Sequence, residues 1–434
     1  MAKTTDRTLR TQVIYQIFTR NYNDGTFRAV EADLDRIQSL GVDIIYLLPI
    51  HPSGTIHRKG SMGSPYAIQD YRAVDPVQGT KEDIEHLAHA IHARGMKLMI
   101  DVVYNHTSPD SVLANTHPEW FYHKNDGSLG NRVGDWWDVV DLDYSNQELW
   151  RYQIDTLKQW AELVDGFRCD VASMVPVEFW IQARTEVESV RPGCIWLAES
   201  VEPEFIIYNR RNGVETATDS ELYQAFDICY DHDCYPLQKK AMTRQLPLKD
   251  YLSSVNVQEG IYPENYIKLR FLENHDRPRA AAVIPDEYVR KSWTAWSYFV
   301  KGTVMVYAGQ EFGVTKHPTL FDLDPVQFET GKDDSSFLRK LSDLRHHQLF
   351  SNSSFHAEET GTDVIYAEHI GRVGTEVEGQ KAIGIFPVGN ASQAVTAPLA
   401  DGEYINAIDG TRFSVHERVV SDVHGPIILF LNQE

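Results

Sequence analysis

Long apolar runs are missing from this sequence of 434 residues: no stretch approaches the roughly 18 consecutive apolar residues of a membrane-spanning helix. The opening residues, MAKTTDRTLR, also lack the apolar core of a signal peptide. From these two absences we expect a soluble, cytoplasmic protein with no membrane partner.

Cysteine and positive charge are scarce as well. The four cysteines, at positions 169, 194, 229 and 234, show no CxxC spacing, so we expect reduced, buried thiols and no metal site. With 41 basic against 62 acidic residues the net charge is −21, which would repel a polyanion. Nucleic acid is therefore excluded as an expected partner.

The dominant pattern in the chain is an alternation of short β-rich runs with amphipathic helical segments, which predicts βα units and a parallel sheet. Eight such runs precede residue 310, and eight is the number that closes a (β/α)8 barrel, also called a TIM barrel. The predicted strands are residues 13–18, 43–48, 97–103, 165–170, 195–200, 223–227, 268–273 and 304–308.

Two further segments complete the predicted organisation. Residues 106–146 form a loop excursion after the third strand, rich in Gly, Asn, Asp, His and Trp, and a loop of that length is usually functional. After residue 350 the helical periodicity disappears and short alternating runs follow. We therefore predict a catalytic barrel over residues 1–350 and an antiparallel, all-β C-terminal domain over residues 351–434.

Polar side chains accumulate where the predicted strands end, which is where reactive groups of a (β/α)8 barrel stand. They lie after the third, fourth, fifth and seventh strands: Asp101, Asn105, His106, Arg168, Asp170, Glu199, His275 and Asp276. The run 231–234 (DHDC) also offers ligand-type side chains, but we interpret it as a polar loop after the sixth strand.

Two of these carboxyl groups are expected to differ in their ionisation. Strand alternation places Arg168 and Asp170 on one face, so we expect the guanidinium to keep Asp170 ionised. Glu199 follows the apolar run Trp-Leu-Ala, and we expect apolar walls and like charges to raise its pKa. Such a pair meets the requirement for glycoside hydrolysis, in which one carboxyl attacks and the other protonates the leaving oxygen.

Aromatic residues near these strand ends support a sugar ligand, because flat rings with polar rims suit pyranose faces. Tyr66 lies in the loop after the second strand, and the excursion contains Trp120, Phe121, Trp136 and Trp137. For Trp136 and Trp137 we leave sugar contact and loop packing open as alternatives.

The motifs as a set resemble the α-amylase family of glycoside hydrolases, in order and over essentially the whole chain. The resemblance is carried by GVDIIYLLPI at 41–50, DVVYNH at 101–106, GFRCD at 166–170, FLENHD at 271–276 and GTVMVYAGQE at 302–311. In the last motif Thr303 stands where the family usually has Pro.

The resemblance implies a retaining mechanism with Asp170 as the nucleophile, Glu199 as the acid/base and Asp276 as the stabiliser of the transition state. It implies that Arg168, His106 and His275 bind hydroxyls or orient carboxylates, and that Tyr66 stacks under the sugar. The expected activity is double-displacement hydrolysis of α-glucosidic bonds in malto-oligosaccharides or related α-glucans.

Two alternatives stay open at the level of sequence. The same covalent intermediate can be captured by a sugar or by phosphate, which would make the protein a transglycosylase, an isomerase or a phosphorylase. A non-catalytic relative that uses the barrel to bind a glycan or a partner is the rival of a different class.

The resemblance also raises the question of calcium. We expect no required cofactor and leave a structural calcium ion open, because Asn105 matches a family ligand whereas Ser173-Met174 replaces the usual Lys-His pair. Met174 thus departs from the family at the ligand position.

Overall fold

A closed barrel of eight parallel strands forms the N-terminal part of the computed structural model, which describes residues 4–133, 136–389 and 393–432. Each strand is hydrogen-bonded to its neighbours in chain order, and the eighth closes onto the first. The strands β1–β8 are Val13–Ile17, Ile44–Leu47, Lys97–Val102, Gly166–Cys169, Ile195–Ala198, Ile228–Tyr230, Lys268–Arg270 and Thr303–Tyr307.

Helices cover the outside of this barrel. In the described part of the chain the α-helices α1–α13 are Phe27–Ala32, Leu34–Ser39, Lys81–Ala93, Val112–Thr116, Gln147–Ala161, Val177–Val187, Pro203–Arg211, Asp219–Leu222, Tyr235–Met242, Leu248–Ile261, Ala280–Val283, Glu287–Phe299 and Ser335–Arg345. Short 3-10 helices are Arg7–Thr11, Thr19–Asn21, Pro118–Trp120, Ala172–Met174, Gln310–Phe312 and Gln348–Phe350.

Local sequence signals explain where these elements begin and end. Thr80 and Asp83 form a reciprocal capping box at the start of α3. Gly41 and Gly95 follow the ends of α2 and α3 with φ of +78° and +73°, a conformation that suits glycine. These stops turn the chain back into β2 and β3, which leave their carboxyl ends at the same mouth of the barrel.

The prediction for the sixth strand is wrong. Residues 223–227 form the connection between α8 and β6, and the strand itself is Ile228–Tyr230. Thr218 and Glu221 form a capping box that starts α8, and the backbone N–H of Phe226 donates to Leu222 O at 2.9 Å. The apolar residues of this stretch are thus buried in a turn. A short run of buried apolar residues has the same sequence pattern as a buried strand, which explains the wrong prediction.

The segment after β3 contains a small two-stranded sheet of its own. Its strands His106–Thr107 and Val140–Asp141 pair antiparallel. This is the loop excursion that the sequence predicts; residues 134 and 135 within it lie outside the described residues.

The C-terminal part is all-β, as predicted. Strands β9–β16 are Ser353–Glu359, Val364–Gly371, Gln380–Pro387, Gln393–Thr396, Gly402–Ile405, Arg412–His416, Val419–Val423 and Ile427–Asn432. They form two antiparallel sheets with orders β9-β10-β11-β16 and β12-β15-β14-β13.

The first of these sheets packs on the barrel helices. The Asn256 side chain of α10 donates to Ala357 O at 2.7 Å and accepts from Ala357 N at 2.9 Å. His369 Nε2 lies 2.8 Å from Phe299 O at the end of α12. No helix in the described ranges is long and apolar enough to cross a membrane; a cytoplasmic location stays a prediction.

Candidate active site

Arg168 is the centre of a cluster of carboxyl groups at the carboxyl ends of the strands. Its side chain is fully buried, and Nη1 donates to both oxygens of Asp101 at 2.9 Å and to Asp170 Oδ1 at 2.7 Å. Nη2 lies 3.0 Å from Glu199 Oε2. The register of the barrel produces this arrangement, because Asp101 on β3 pairs directly with Arg168 on β4.

A strained residue completes the contact to Glu199. Val171 follows Asp170 with φ of 34° and ψ of 46°, the left-handed region that β-branched residues rarely adopt. This conformation directs the Val171 N–H to Glu199 Oε2 at 2.8 Å. Strain of this kind costs about 1–3 kcal/mol and is found preferentially at functional sites.

The expected ionisation of Asp170 and Glu199 is wrong for the ligand-free site. Burial and the charge of Glu199 raise the pKa of Asp170 well above its ordinary value, although Arg168 opposes this. Burial would also raise the pKa of Glu199, but the Arg168 charge and the Val171 hydrogen bond hold it below its ordinary value. The prediction fails because the single Arg168 guanidinium contacts three carboxyl groups, so its charge alone cannot keep Asp170 ionised.

Asp276 and His275 extend the cluster from the end of β7. His275 Nε2 lies 3.1 Å from Asp276 Oδ2 and 2.6 Å from the Tyr66 hydroxyl, while Gln16 Nε2 lies 3.0 Å from His275 Nδ1. Burial raises the pKa of the Asp276 carboxyl, but the charges of His275 and Arg168 outweigh it, so the pKa lies below its ordinary value. Asp276 is thus held as a carboxylate at the rim.

Tyr66 and His106 contact different members of this cluster. The Tyr66 hydroxyl donates to Asp101 Oδ2 at 3.1 Å, and the Tyr66 ring lies nearly parallel to the ring of His275. His106 Nε2 is 3.9 Å from Asp170 Oδ2. Burial lowers the pKa of His106 to about 4, so the imidazole is neutral near pH 7. All seven predicted site residues therefore lie in one connected cluster.

The aromatic residues of the excursion divide into two groups. Trp120 and Phe121 are buried, so the expectation that they supply sugar-contacting surfaces is wrong. The Trp136 ring lies 5.6 Å from the ring of His106. Trp137 is 56% exposed, and Lys59 Nζ lies 5.3 Å from the centre of its ring.

Sequence reasoning missed several groups that support the site. The Tyr46 hydroxyl donates to Asp101 Oδ2 at 2.6 Å, and Gln16 contacts His275 from β1. Both stand on barrel strands and point inward, and strand alternation is the signal that could have found them. His232, in the predicted loop 231–234, is buried, and its Nδ1 lies 2.7 Å from the carbonyl oxygen of Ser200, the residue after Glu199.

The run 231–234 has the structural role that the loop interpretation implies. Asp231 and Asp233 form ion pairs with Arg270 at 2.6 Å and Lys268 at 2.8 Å. Among the described residues, only Asp231, Asp233 and Cys234 form a group of three acidic, His or Cys side chains whose donor atoms all lie within 4.8 Å of one another. Two buried cations already neutralise this group, which makes it a structural network.

Asn105 is the candidate calcium ligand that the sequence retains. Asn105 Nδ2 lies 3.1 Å from His106 Nδ1, and Met174 ends the 3-10 helix after Asp170. Calcium takes six to eight oxygen ligands, usually with several carboxylates. No converging group of acidic side chains surrounds Asn105 in the part of the chain that the structure describes. We therefore expect no required calcium ion, and calcium dependence stays a prediction.

A (β/α)8 barrel with paired carboxyl groups on a buried arginine at its carboxyl-terminal mouth defines a protein of the barrel glycosidase class. The family profile described as "Alpha amylase, catalytic domain" matches residues 12–355, and "Bacterial Alpha amylase C-terminal domain" matches residues 356–429. The chain belongs to the α-amylase family.

Three similar proteins illustrate this membership. An α-amylase from Lactobacillus plantarum is 40% identical, with a TM-score of 0.94, over 98% of this chain and 100% of that one. "Alpha-amylase MalA" of Haloarcula japonica is 27% identical over 77% of this chain. The maltosyltransferase "Alpha-1,4-glucan:maltose-1-phosphate maltosyltransferase" of Myxococcus xanthus is 33% identical over 43% of this chain. The chain spans 49% of the length of the Haloarcula protein and 32% of the length of the Myxococcus protein.

Proposed function

We propose that the protein is an α-retaining glycoside hydrolase that cleaves α-glucosidic bonds in malto-oligosaccharides or related α-glucans by double displacement. The observation that carries this proposal is the position of Asp170 and Glu199 on the two terminal nitrogens of Arg168. Two carboxyl groups that share one guanidinium are near neighbours, which a retaining enzyme needs because its pair stands only about 5–5.5 Å apart.

In the first step Asp170 attacks the anomeric carbon of the sugar. Its Oδ1 accepts a hydrogen bond from Arg168, so Oδ2, which faces His106, is the attacking oxygen. The new bond from Oδ2 to the anomeric carbon forms as the glycosidic bond breaks. Glu199 gives a proton to the departing oxygen, and the product is a β-linked glycosyl ester of Asp170.

In the second step water attacks the anomeric carbon and releases Asp170. Glu199, now ionised, takes one proton from the water, and the sugar leaves with its original α configuration. Because Glu199 Oε2 already accepts from the Val171 N–H and faces Arg168, the transferred proton belongs on Oε1. The Asp276 carboxylate, on the partly exposed rim, stabilises the positive charge that develops on the sugar.

The ligand-free electrostatics add one requirement to this scheme. In the ligand-free site the pKa of Asp170 is raised and that of Glu199 is lowered, whereas the first step needs an ionised Asp170 and a protonated Glu199. We therefore propose that the proton moves from Asp170 to Glu199 when the sugar occupies the site. Positive charge developing at the anomeric carbon favours an ionised Asp170, and the glycosidic oxygen favours a proton on Glu199.

The test is incubation with a panel of α-linked gluco-oligosaccharides, with products resolved by chromatography and the anomer read by proton NMR. We expect α-anomeric products from the wild type and none from Asp170→Asn. Asp250→Asn, which changes an exposed carboxylate on the outer helix α10, is the matched control and should behave as the wild type. Products of inverted configuration, or full activity of Asp170→Asn, would overturn the proposal.

Transfer is the second candidate function, and the local similarity to a maltosyltransferase favours it. Transfer to a sugar or to phosphate uses the same first step and differs only in what attacks the glycosyl ester. Adding glucose or inorganic phosphate to the incubation separates the two activities. New transfer products at the expense of free sugar would assign the protein to the transferases.

A further inference from the structure

Glu199 lies just beyond the point where the pairing between strands β5 and β6 ends. The last residues paired between these two strands are Ala198 and Cys229. Glu199 and the residue after it, Ser200, therefore lie outside the ladder, although both are buried. Buried backbone groups need hydrogen-bond partners. The position of the main chain at Glu199 thus depends on contacts that replace the ladder.

The two sides of this segment are held in different ways. On the β4 side the Glu199 N–H donates to Cys169 O at 3.0 Å, as in a strand. On the β6 side the Ser200 hydroxyl donates to Tyr230 O at 3.1 Å, and His232 Nδ1 lies 2.7 Å from Ser200 O. Because a carbonyl oxygen can only accept, Nδ1 carries the proton of this hydrogen bond. His232 is thus the side chain that holds the carbonyl of Ser200.

The imidazole of His232 has a defined protonation state and orientation. Burial lowers the pKa of His232, so the ring is neutral near pH 7. With the proton on Nδ1, Nε2 carries none, and Nε2 has no hydrogen-bond partner among the described residues. The ring centre lies 5.0 Å from that of Tyr230 and 6.0 Å from that of Phe271. One hydrogen bond and aromatic packing therefore fix the ring.

The main chain on both sides of His232 is fixed as well. Asp231 pairs with Arg270 at 2.6 Å, and Asp233 pairs with Lys268 at 2.8 Å. Both cations belong to β7, so the loop that carries His232 is tied to the next strand of the barrel. The buried ion pairs thus give the imidazole a rigid support.

The carboxyl end of Glu199 is held independently of these contacts. Its Oε2 accepts from the Val171 N–H at 2.8 Å and lies 3.0 Å from Arg168 Nη2. When the main chain and Oε2 are both fixed, Oε1 has one defined position. We propose that His232 is a positioning residue for Glu199, which acts through Ser200 and keeps Oε1 aimed at the departing oxygen. This inference rests on the proposed hydrolase function and adds a residue to it.

The experiment compares two substrates that differ in their need for an acid. Maltotriose has a sugar leaving group that must be protonated, whereas α-maltosyl fluoride releases fluoride without an acid. A displaced Glu199 should therefore lower kcat/KM for maltotriose and leave that for maltosyl fluoride unchanged. For His232→Leu we expect the ratio of the two values to fall about tenfold, which is part of the 10²–10⁴-fold that a positioned general acid contributes.

Two conservative variants test the hydrogen bond itself. The amide nitrogen of asparagine takes the place of Nδ1, whereas the amide nitrogen of glutamine takes the place of Nε2. We expect His232→Asn to keep the ratio of the wild type and His232→Gln to lose it as His232→Leu does. His369→Leu is the matched control, because His369 is also buried and bonded to a backbone carbonyl, Phe299 O, but lies in the C-terminal sheet. It should keep the wild-type ratio.

The outcomes separate the inference from the function beneath it. If maltosyl fluoride is consumed and His232→Leu and His232→Gln keep the wild-type ratio, the inference alone is overturned. An equal fall of the ratio in His232→Asn and His232→Gln would also overturn it. If His232→Leu does not fold, the comparison of the Asn and Gln variants decides. If the wild type consumes neither substrate, the proposed function fails and the inference fails with it.

A binding measurement separates positioning from direct contact with the sugar. Calorimetry of Asp170→Asn with maltotriose should give the same Kd with and without the further change His232→Leu. Weaker binding by the double variant would show that His232 contacts the sugar, and would overturn the inference.

Discussion

Replacing Arg168 is the sharpest test of the cluster that we describe. The side chain is fully buried and contacts Asp101, Asp170 and Glu199 at 2.9, 2.7 and 3.0 Å. At an effective dielectric constant near 20, each such contact contributes roughly 4 kcal/mol before desolvation is counted. After desolvation, removal of the charge in Arg168→Met should still lower the free energy of unfolding by about 3–5 kcal/mol, because buried carboxylates lose their partner.

Arg168→Lys isolates the geometric part of this effect. Lysine keeps the charge but has one ammonium group, which cannot hold Asp170 and Glu199 on separate nitrogens. We expect kcat/KM for maltosyl fluoride to fall about 10²–10³-fold, as for loss of one preorganised electrostatic group.

Arg270→Lys is the control for this substitution. It alters a buried arginine on β7 that pairs with Asp231 at 2.6 Å, outside the carboxyl cluster. Urea unfolding would measure the stability of both variants. An Arg168→Lys enzyme within fivefold of the wild type would refute the reasoning.

Three further predictions concern ionisation, calcium and the excursion. The kcat/KM for maltosyl fluoride, which needs no acid, should rise with pH as Asp170 ionises, with a midpoint above the ordinary aspartate value of about 3.9. In Glu199→Gln this midpoint should move down because a negative neighbour is removed, and a wild-type midpoint below 4 would contradict us. Dialysis against EDTA should leave activity and the unfolding temperature unchanged. A loss of either that added calcium restores would show that the protein depends on a calcium ion. Lys59→Met should lower the unfolding free energy by about 1–3 kcal/mol in urea, because the buried Asp138 loses its partner at 2.7 Å. Lys59→Arg keeps the charge and is the control, and equal losses in both variants would argue against the ion pair.

Most of the barrel could be predicted from the sequence because its strands are continuous apolar runs bounded by helix stops. Seven of the eight predicted strands overlap those of the structure. The sixth could not be located, because β6 has only three residues and the apolar stretch before it is longer than the strand itself. Burial, and not strand geometry, determines the composition of that stretch.

The site was predictable in its members but not in its electrostatics. Alternation along β4 places Arg168 and Asp170 together, and this contact is present at 2.7 Å. Arg168 also contacts Asp101 and Glu199, which belong to other strands. These contacts depend on the register between strands, and the residue pattern of a single strand does not predict that register. The contact between Gln16 and His275, 259 positions apart in the chain, is likewise fixed only by closure of the barrel.

The Val171 contact shows why the resting site and the reacting site should differ in protonation. A strained backbone N–H and Arg168 both act on Glu199 Oε2, and both stabilise the ionised form. Ionised Glu199 is the form needed in the second step, when it takes a proton from water. In the first step the same contacts oppose the acid that the reaction needs, so the bound sugar has to supply the compensating interaction at Oε1. A substrate that occupies the site without presenting its glycosidic oxygen to Oε1 would therefore bind and remain uncleaved.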